Sequence, residues 1–388
     1  MRHNFDEIVD RRGTDSRKWD TYGTDVVPMW LADTDFKCPQ PVIDAVVKRA
    51  EHGIYGYPPD DNKNFEQSIV NWQKKRFGWD VDIDWAEHTP AVIPAIIYAM
   101  RAFTQPGDNV VMQMPVYHPF HAIIPNNGRH ILGNQLAPNK EGGFDVDFAN
   151  LEELLSKKRT TMFLLCNPHN PVGKCFTREE LTRMAKLCLK HNVFVVSDEI
   201  HSDIVYKGNR HIPFGSLSAE AAANCVVCVN PSKTFNIAGV RTGAAIIPDR
   251  RNHDLFYARV EDNKAYGRTI FGTLPVEVAY NECDYYADQL LEYLEGNLEY
   301  LNTFVAAKIP KIKVTKTEAT YLVWLNCQAL NMAPKELQKF FLEEAKVAMN
   351  EGSNFGPGGA GNMRMNIGCP RSQLQEALNR IEAAVKKL

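Results

Sequence analysis

No run of apolar residues in this 388-residue chain approaches the ~20 that a membrane-crossing helix needs, so no membrane association is expected. The opening MRHNFDEIVDRRGTDS lacks an apolar core segment, which argues against a secretory signal. Neither sign of charge is in excess: 44 Lys and Arg stand against 47 Asp and Glu, for a net charge of -3. The basic footprint of a nucleic-acid binder is therefore missing. Nine scattered cysteines are an odd number, which disfavours a disulfide framework and points to a reducing cytoplasm. Cys225-x-x-Cys228 stands alone within an apolar strand pattern, where residues three apart face opposite sides, so core packing is expected of it. His118 and His121 have no acidic or cysteine residues grouped with them, and no metal site is expected. The Gly-rich run 356–361, GPGGAG, precedes a strand instead of following one, which argues against a dinucleotide loop. Internal repeats and low-complexity tracts are also missing.

What is present is ordinary globular composition, 44% hydrophobic and 23% charged, at a length that suits two or three domains. Helical patterns are expected over 39–53 and 65–79, with a turn-rich loop at 54–64 carrying Tyr55 and Tyr57. Thr89 and Pro90 read as openers of an apolar helix reaching Phe103. Buried strands are expected at 109–114, 161–166, 193–197 and 225–229, separated by helices. Asp147 would cap one such helix, and Thr177 with Glu180 would form a capping box on another. This alternation predicts a mostly parallel sheet with helices on both faces. The short link from Lys233 to a strand at 244–247 leaves no room for a crossover, so that strand is expected to be antiparallel. A long helical stretch, 274–309, leads to strands and helices of a smaller α+β unit.

In open α/β sheets ligands bind beyond the carboxyl ends of the strands. Three successive strands here end in polar groups: Asn167 and Asn170, then Asp198, then Ser232 and Lys233, with Arg241 shortly after. A lysine, a carboxylate, an amide and a guanidinium on one sheet edge are what pyridoxal 5′-phosphate requires. The lysine attaches the cofactor, the carboxylate keeps its pyridine nitrogen protonated, and cations with a helix N-terminus hold the phosphate.

The segments NPHNPVGK, SDEIHSD and NPSKTFNIAGVRTG, in that order, resemble the class I/II aminotransferase superfamily of fold-type I pyridoxal-phosphate enzymes. WLADTDF, HTPAVIPAI, PVYHPF and GPGGAGNMRMNIGCPR narrow the resemblance to its MalY/PatB-like cystathionine β-lyase (C–S lyase) branch. The resemblance covers nearly the whole chain. It implies an α/β fold of the PLP-dependent transferase type: a large domain (46–285) with a mostly parallel seven-stranded sheet, a smaller α+β domain (286–388), and an N-terminal segment (1–45) joined to the smaller one. It implies Lys233 as the cofactor-bearing and proton-moving residue and Asp198 as partner of the pyridine nitrogen. His201 and Asn170 fall near the phenolic oxygen, and Tyr117 stacks on the ring. Ser232, Arg241 and the N–H groups of Val92 and Ile93 hold phosphate. Arg364 receives the substrate carboxylate, with Asn170 and Tyr117 beside it. Tyr57, with Tyr55 as competitor, reaches the phosphate of a second subunit, which implies a homodimer with shared sites. The implied reaction is α,β-elimination from cystathionine or another S-substituted cysteine to pyruvate, ammonia and a thiol. An aminotransferase using a 2-oxo acid is the alternative, and a regulatory protein on the same fold is a third reading. Departures from the branch pattern (ADTDF for ADMDF, Met114 before Pro115, and His88) bear on substrate preference.

Overall fold

The computed structural model describes residues 2–59, 61–263 and 267–388. Met1, Asp60 in the expected loop 54–64, and residues 264–266 in the expected large domain lie outside the described residues. Eight strands form the central sheet: β1 (Ala86–Thr89), β2 (Asn109–Met114), β3 (His130–Pro138), β4 (Phe144–Val146), β5 (Thr160–Cys166), β6 (Phe194–Asp198), β7 (Cys225–Val229) and β8 (Gly243–Ile246). Their order is β1-β8-β7-β6-β5-β2-β3-β4. The run β7-β6-β5-β2-β3 is parallel, while β8, β1 and β4 are antiparallel to their neighbours. The antiparallel β8 is as expected. The sheet has one strand more than the seven implied, and the fold class stands. Both edges carry short strands too polar to stand out locally. β4 is the three-residue return of a hairpin on β3.

β1 corrects a second expectation. Thr89 and Pro90 do not open a helix: Ala86–Thr89 pairs residue for residue with β8, from Ala86–Ile246 to Thr89–Gly243. Helix α1 (Val92–Phe103) begins only after Ala91, whose extended backbone makes it the N-cap. That pairing partner lies more than 150 residues away in sequence, where local patterning cannot register it. The caps read from sequence are present. Thr177 accepts from the Glu180 N–H at 3.2 Å while Glu180 accepts from the Thr177 N–H at 2.9 Å, and Asp147 accepts from the Asn150 N–H at 3.0 Å.

Both faces of the sheet are covered, and β7 displays this residue by residue. Cys225, Val227 and Val229 pack into one apolar cluster, and Val226 and Cys228 into the other. The two cysteines thus face opposite sides, and burial pushes both thiols up, away from thiolate chemistry. α1 packs across β6, β7 and β8. This places its N-terminus at the strand ends.

The expected long helix is two, Ile270–Glu282 and Asp284–Lys308, meeting at Cys283. A four-stranded antiparallel sheet follows, ordered Lys313–Val314, Leu322–Asn326, Asn362–Asn366, Asn350–Glu351. The N-terminal segment returns to this unit, Val27–Pro28 pairing in parallel with Val347–Ala348. A buried charge knot pins the segment. Asp35 accepts from Lys18 Nζ, Arg11 Nη1 and Trp19 Nε1, each at 2.7 Å, and from Gln373 Nε2 at 2.9 Å. The knot fixes residues 30–36 where they cross the carboxyl ends of the large sheet.

Candidate active site

The parallel strands end on a cavity of about 360 Å³. Of the sequence-expected site residues, Val92, Ile93, Tyr117, Asn170, Asp198, His201, Ser232, Lys233 and Arg241 all line it. Arg364 and Tyr57 do not. Arg364 stands directly behind Asn170, donating from Nη1 to its Oδ1 at 3.0 Å. Tyr57 is fully exposed, and Tyr55 is engaged within its own segment, its hydroxyl donating to Ala50 O at 2.6 Å. Asn167 turns away from the cavity, its Nδ2 donating to Ile212 O at 3.2 Å.

Lys233 sits in the first turn after β7, on the short helix Ser232–Phe235. That turn is set by Asn230, whose Oδ1 accepts from the Ser232 N–H at 2.8 Å and whose amide donates to Thr242 O. Lys233 Nζ donates to Ala32 O at 2.7 Å. Burial lowers its pKa to about 8, opposed by the negative charges of Asp33 and Asp198. Asp198 closes β6, and its Oδ1 accepts from the Ile200 N–H at 3.2 Å. Burial raises it to about 7, against that bond and the pull of Lys233. The environment therefore brings the amine and the carboxyl towards each other on the pH scale, a pattern typical of reactive sites.

His201, three residues past Asp198, is buried and meets the Tyr321 ring edge-on at 5.9 Å. Burial first, then Lys233 and Arg364, lower it to about 3, so it stands as a neutral imidazole. Arg364 is 2% exposed. Its strand neighbour Asn350 accepts from Nη2 at 2.8 Å, Trp30 O accepts from the same nitrogen at 3.0 Å, and the Phe355 ring lies 4.8 Å from Cζ. Burial pulls Arg364 to about 10, leaving it charged through neutral pH. Two buried nitrogens here, His201 Nδ1 and Arg364 Nε, have no hydrogen-bond partner among the described residues.

These groups fit what pyridoxal 5′-phosphate asks of a protein. A buried amine and a carboxyl bound the cavity, and unpartnered polar atoms lie at or beside it. α1 opens onto it at Ala91, Val92 and Ile93 with no side-chain cap taking its free N–H groups. Arg241, in left-handed conformation at φ 53°, and Ser232 line the same end. Among the described residues no group of three or more His, Cys, Asp or Glu is placed to hold a metal ion. His121 spends its Nε2 on Phe355 O at 3.0 Å.

Several contributors carry no signal in local sequence. The carbonyls of Trp30 and Ala32 and the amide of Asn350 position the two key cations. Tyr321 also donates to Ala32 O, at 3.0 Å. Trp30, Ala32 and Asp33 all fall within the WLADTDF motif, which assigns none of them a role, and the charge of Asp33 bears on Lys233.

Comparison with known proteins agrees with this geometry. The family described as aminotransferase class I and II matches residues 29–381. The chain is 44% identical over 387 residues to the cystathionine beta-lyase PatB of Bacillus subtilis, covering 98% of this chain and 100% of that protein. A PLP-bound putative aminotransferase from Clostridium difficile superposes with a TM-score of 0.96 at 39% identity, covering 99% of this chain and 100% of that one. Cystalysin from Treponema denticola, a structure containing pyridoxal 5′-phosphate, superposes with a TM-score of 0.96 at 33% identity over 100% of both chains.

Proposed function

The chain belongs to the class I and II aminotransferase family, and from that premise we propose that it is a pyridoxal-phosphate-dependent C–S β-lyase. It would convert cystathionine or related S-substituted cysteines to pyruvate, ammonia and a thiol. The observation that carries the reading is that Lys233 and Asp198 line one cavity with Arg364 directly behind its wall residue Asn170, in a chain so similar to a cystathionine β-lyase.

When bound, the cofactor supplies a carbonyl that captures the substrate amine and a ring that accepts the electron pair left at Cα. Asp198 would face the ring nitrogen. The N–H cation there favours its ionised form and offsets the burial that otherwise raises it. Tyr117, His201 and Asn170 would orient the ring. Ser232, Arg241 and the N–H groups of Val92 and Ile93 would take the phosphate, as helix N-termini do. Arg364 would hold the substrate carboxylate, its fork already aligned by Asn170, Asn350 and Trp30 O. Lys233, which burial biases towards its uncharged form, would accept the Cα proton at Nζ and return a proton to the departing thiolate. The C–H and C–S bonds break, and the released enamine is hydrolysed to pyruvate and ammonia.

Catalytic release of pyruvate from cystathionine, without any added 2-oxo acid, tests this reading. If pyruvate forms at most once per site while an added 2-oxo acid is aminated, the protein is an aminotransferase and the lyase reading fails.

The same reading includes a homodimer with shared sites. Supporting it, Tyr57 and Ile54 are exposed beside the half-exposed Tyr55 and Val47, an apolar stretch that a second copy would cover. A monomer by light scattering would refute this. The division into a large domain at 46–285 and a small one at 286–388, with residues 1–45 joined to the latter, is also part of the proposal, supported by the pairing of Val27 with Val347. No described helix is long and apolar enough to cross a membrane. Nine free cysteines support a cytoplasmic location.

A further inference from the structure

A second cavity of about 410 Å³ is lined by Asp33 where the first is lined by Ala32, and Ala238 lines both. Most charges around it are already matched. Arg11 binds Asp33 at 2.8 Å and Asp35 at 2.7 Å, and Lys37 pairs with Glu7. Arg17 is different. It is exposed, it lines the second cavity, and among the described residues its guanidinium has no hydrogen-bond or ion-pair partner. Its Cζ lies 5.8 Å from the centroid of the Trp30 ring. Trp30 is the residue whose carbonyl holds Arg364 at 3.0 Å. One residue thus ties the arginine at the substrate carboxylate to a second, unsatisfied arginine on the outer side. Arg17 is also within electrostatic reach of Tyr117, which lines the first cavity.

We propose that Arg17 is a specificity-determining residue that receives a carboxylate at the far end of the substrate's S-substituent, so that anionic leaving groups are preferred over neutral ones of the same shape. The inference rests on the elimination reading above. A guanidinium stacked against an aromatic ring and otherwise unpaired is well suited to this, because its fork remains free for two parallel hydrogen bonds. Asp15, the other charge on this cavity with no partner among the described residues, opposes it.

The test uses the pyridoxal-phosphate-loaded enzyme and two near-isosteric substrates, S-carboxyethyl-L-cysteine and S-carbamoylethyl-L-cysteine, with pyruvate as the readout. The wild type is expected to favour the acid by about tenfold in kcat/KM, the range of one charge-assisted hydrogen bond at a partly exposed site. In Arg17→Gln the acid-to-amide ratio falls towards one, with the loss in KM for the acid. Arg17→Lys retains part of the ratio. A purely structural role at Trp30 lowers both substrates together and leaves the ratio unmoved, which overturns the proposal. A wild-type ratio of one or less overturns it as well, since Asp15 then cancels Arg17. If Arg17→Gln does not fold, the wild-type ratio and its decline with added salt decide the matter, and a salt-independent ratio refutes the role. Failure of both compounds, and of cystathionine, to release pyruvate refutes elimination itself, and the leaving-group subsite with it.

Discussion

Removal of the Arg364 guanidinium is the perturbation the geometry constrains most tightly. The side chain is 2% exposed and held by Asn170 at 3.0 Å, Trp30 O at 3.0 Å and Asn350 at 2.8 Å, with Nε unpartnered. A substrate carboxylate received here has left water, and breaking one side of such a pair costs about 3–5 kcal/mol. Arg364→Met should therefore lower kcat/KM for cystathionine by roughly two to four orders of magnitude. Most of the loss should appear in KM, because the carboxylate is bound in ground and transition states alike. Arg364→Lys keeps the charge, loses the fork, and should fall between. Asn350→Leu removes only one acceptor from the guanidinium and should cost about tenfold or less. The assay is steady-state pyruvate formation by cofactor-loaded enzyme. Visible absorption of the bound cofactor checks that Lys233 and Asp198 remain in place. An Arg364→Met enzyme within about threefold of wild type would show that the carboxylate binds elsewhere, and the ordering of the three variants would then have no basis.

Lys233→Ala should abolish turnover and the visible absorption of the attached cofactor, and a variant retaining both would remove the lysine from its assigned role. The rate at which apoenzyme captures pyridoxal phosphate should rise with pH about a midpoint near 8, since only the uncharged Lys233 amine reacts. Asp33→Asn, which removes a charge that favours the ammonium form, should move that midpoint down; an upward move contradicts the electrostatics. Asp35→Asn should destabilise the protein by about 3–5 kcal/mol in urea unfolding, because the fully buried Lys18 loses its carboxylate at 2.7 Å and keeps only Asp33 at 3.9 Å. Burial alone would raise the Asp35 carboxyl, and Lys18, Trp19 and Arg11 more than reverse this, so its folded pKa is lowered. Its contribution is therefore complete above the ordinary carboxyl range and is lost as pH falls through the lowered folded value. Wild type should show that acid loss and Asp35→Asn should not.

Much of the site is legible in the sequence because each parallel strand is a short apolar run whose end can be read. Asn170, Asp198 and Lys233 follow such runs directly, and the sheet brings neighbouring ends together. What was not legible depends on partners far along the chain. β1 looks like a helix start because EHT carries no strand pattern; its pairing with β8 decides it. Asn350 gives no sign of its role until the ladder sets it opposite Arg364. Tyr57 is readable as a motif position, yet among the described residues it stands fully exposed. Trp30 and Ala32 act through main-chain oxygens, which no residue pattern encodes.

Those two oxygens have a consequence for how the protein tolerates change. Lys233 and Arg364 are steered by carbonyls of residues 32 and 30, and substituting either side chain leaves both acceptors in place. A saturation scan should thus find these positions more permissive at the two cations than their location suggests, with penalties tracking side-chain packing and, at Trp30, the contact with Arg17. Inserting or deleting a single residue between 30 and 33 should inactivate the enzyme, because it moves both acceptors while removing neither. At Lys233 and Arg364 the vulnerability of this segment lies in its length and path, while the side chains of Trp30 and Asp33 answer to Arg17 and to the charge of Lys233.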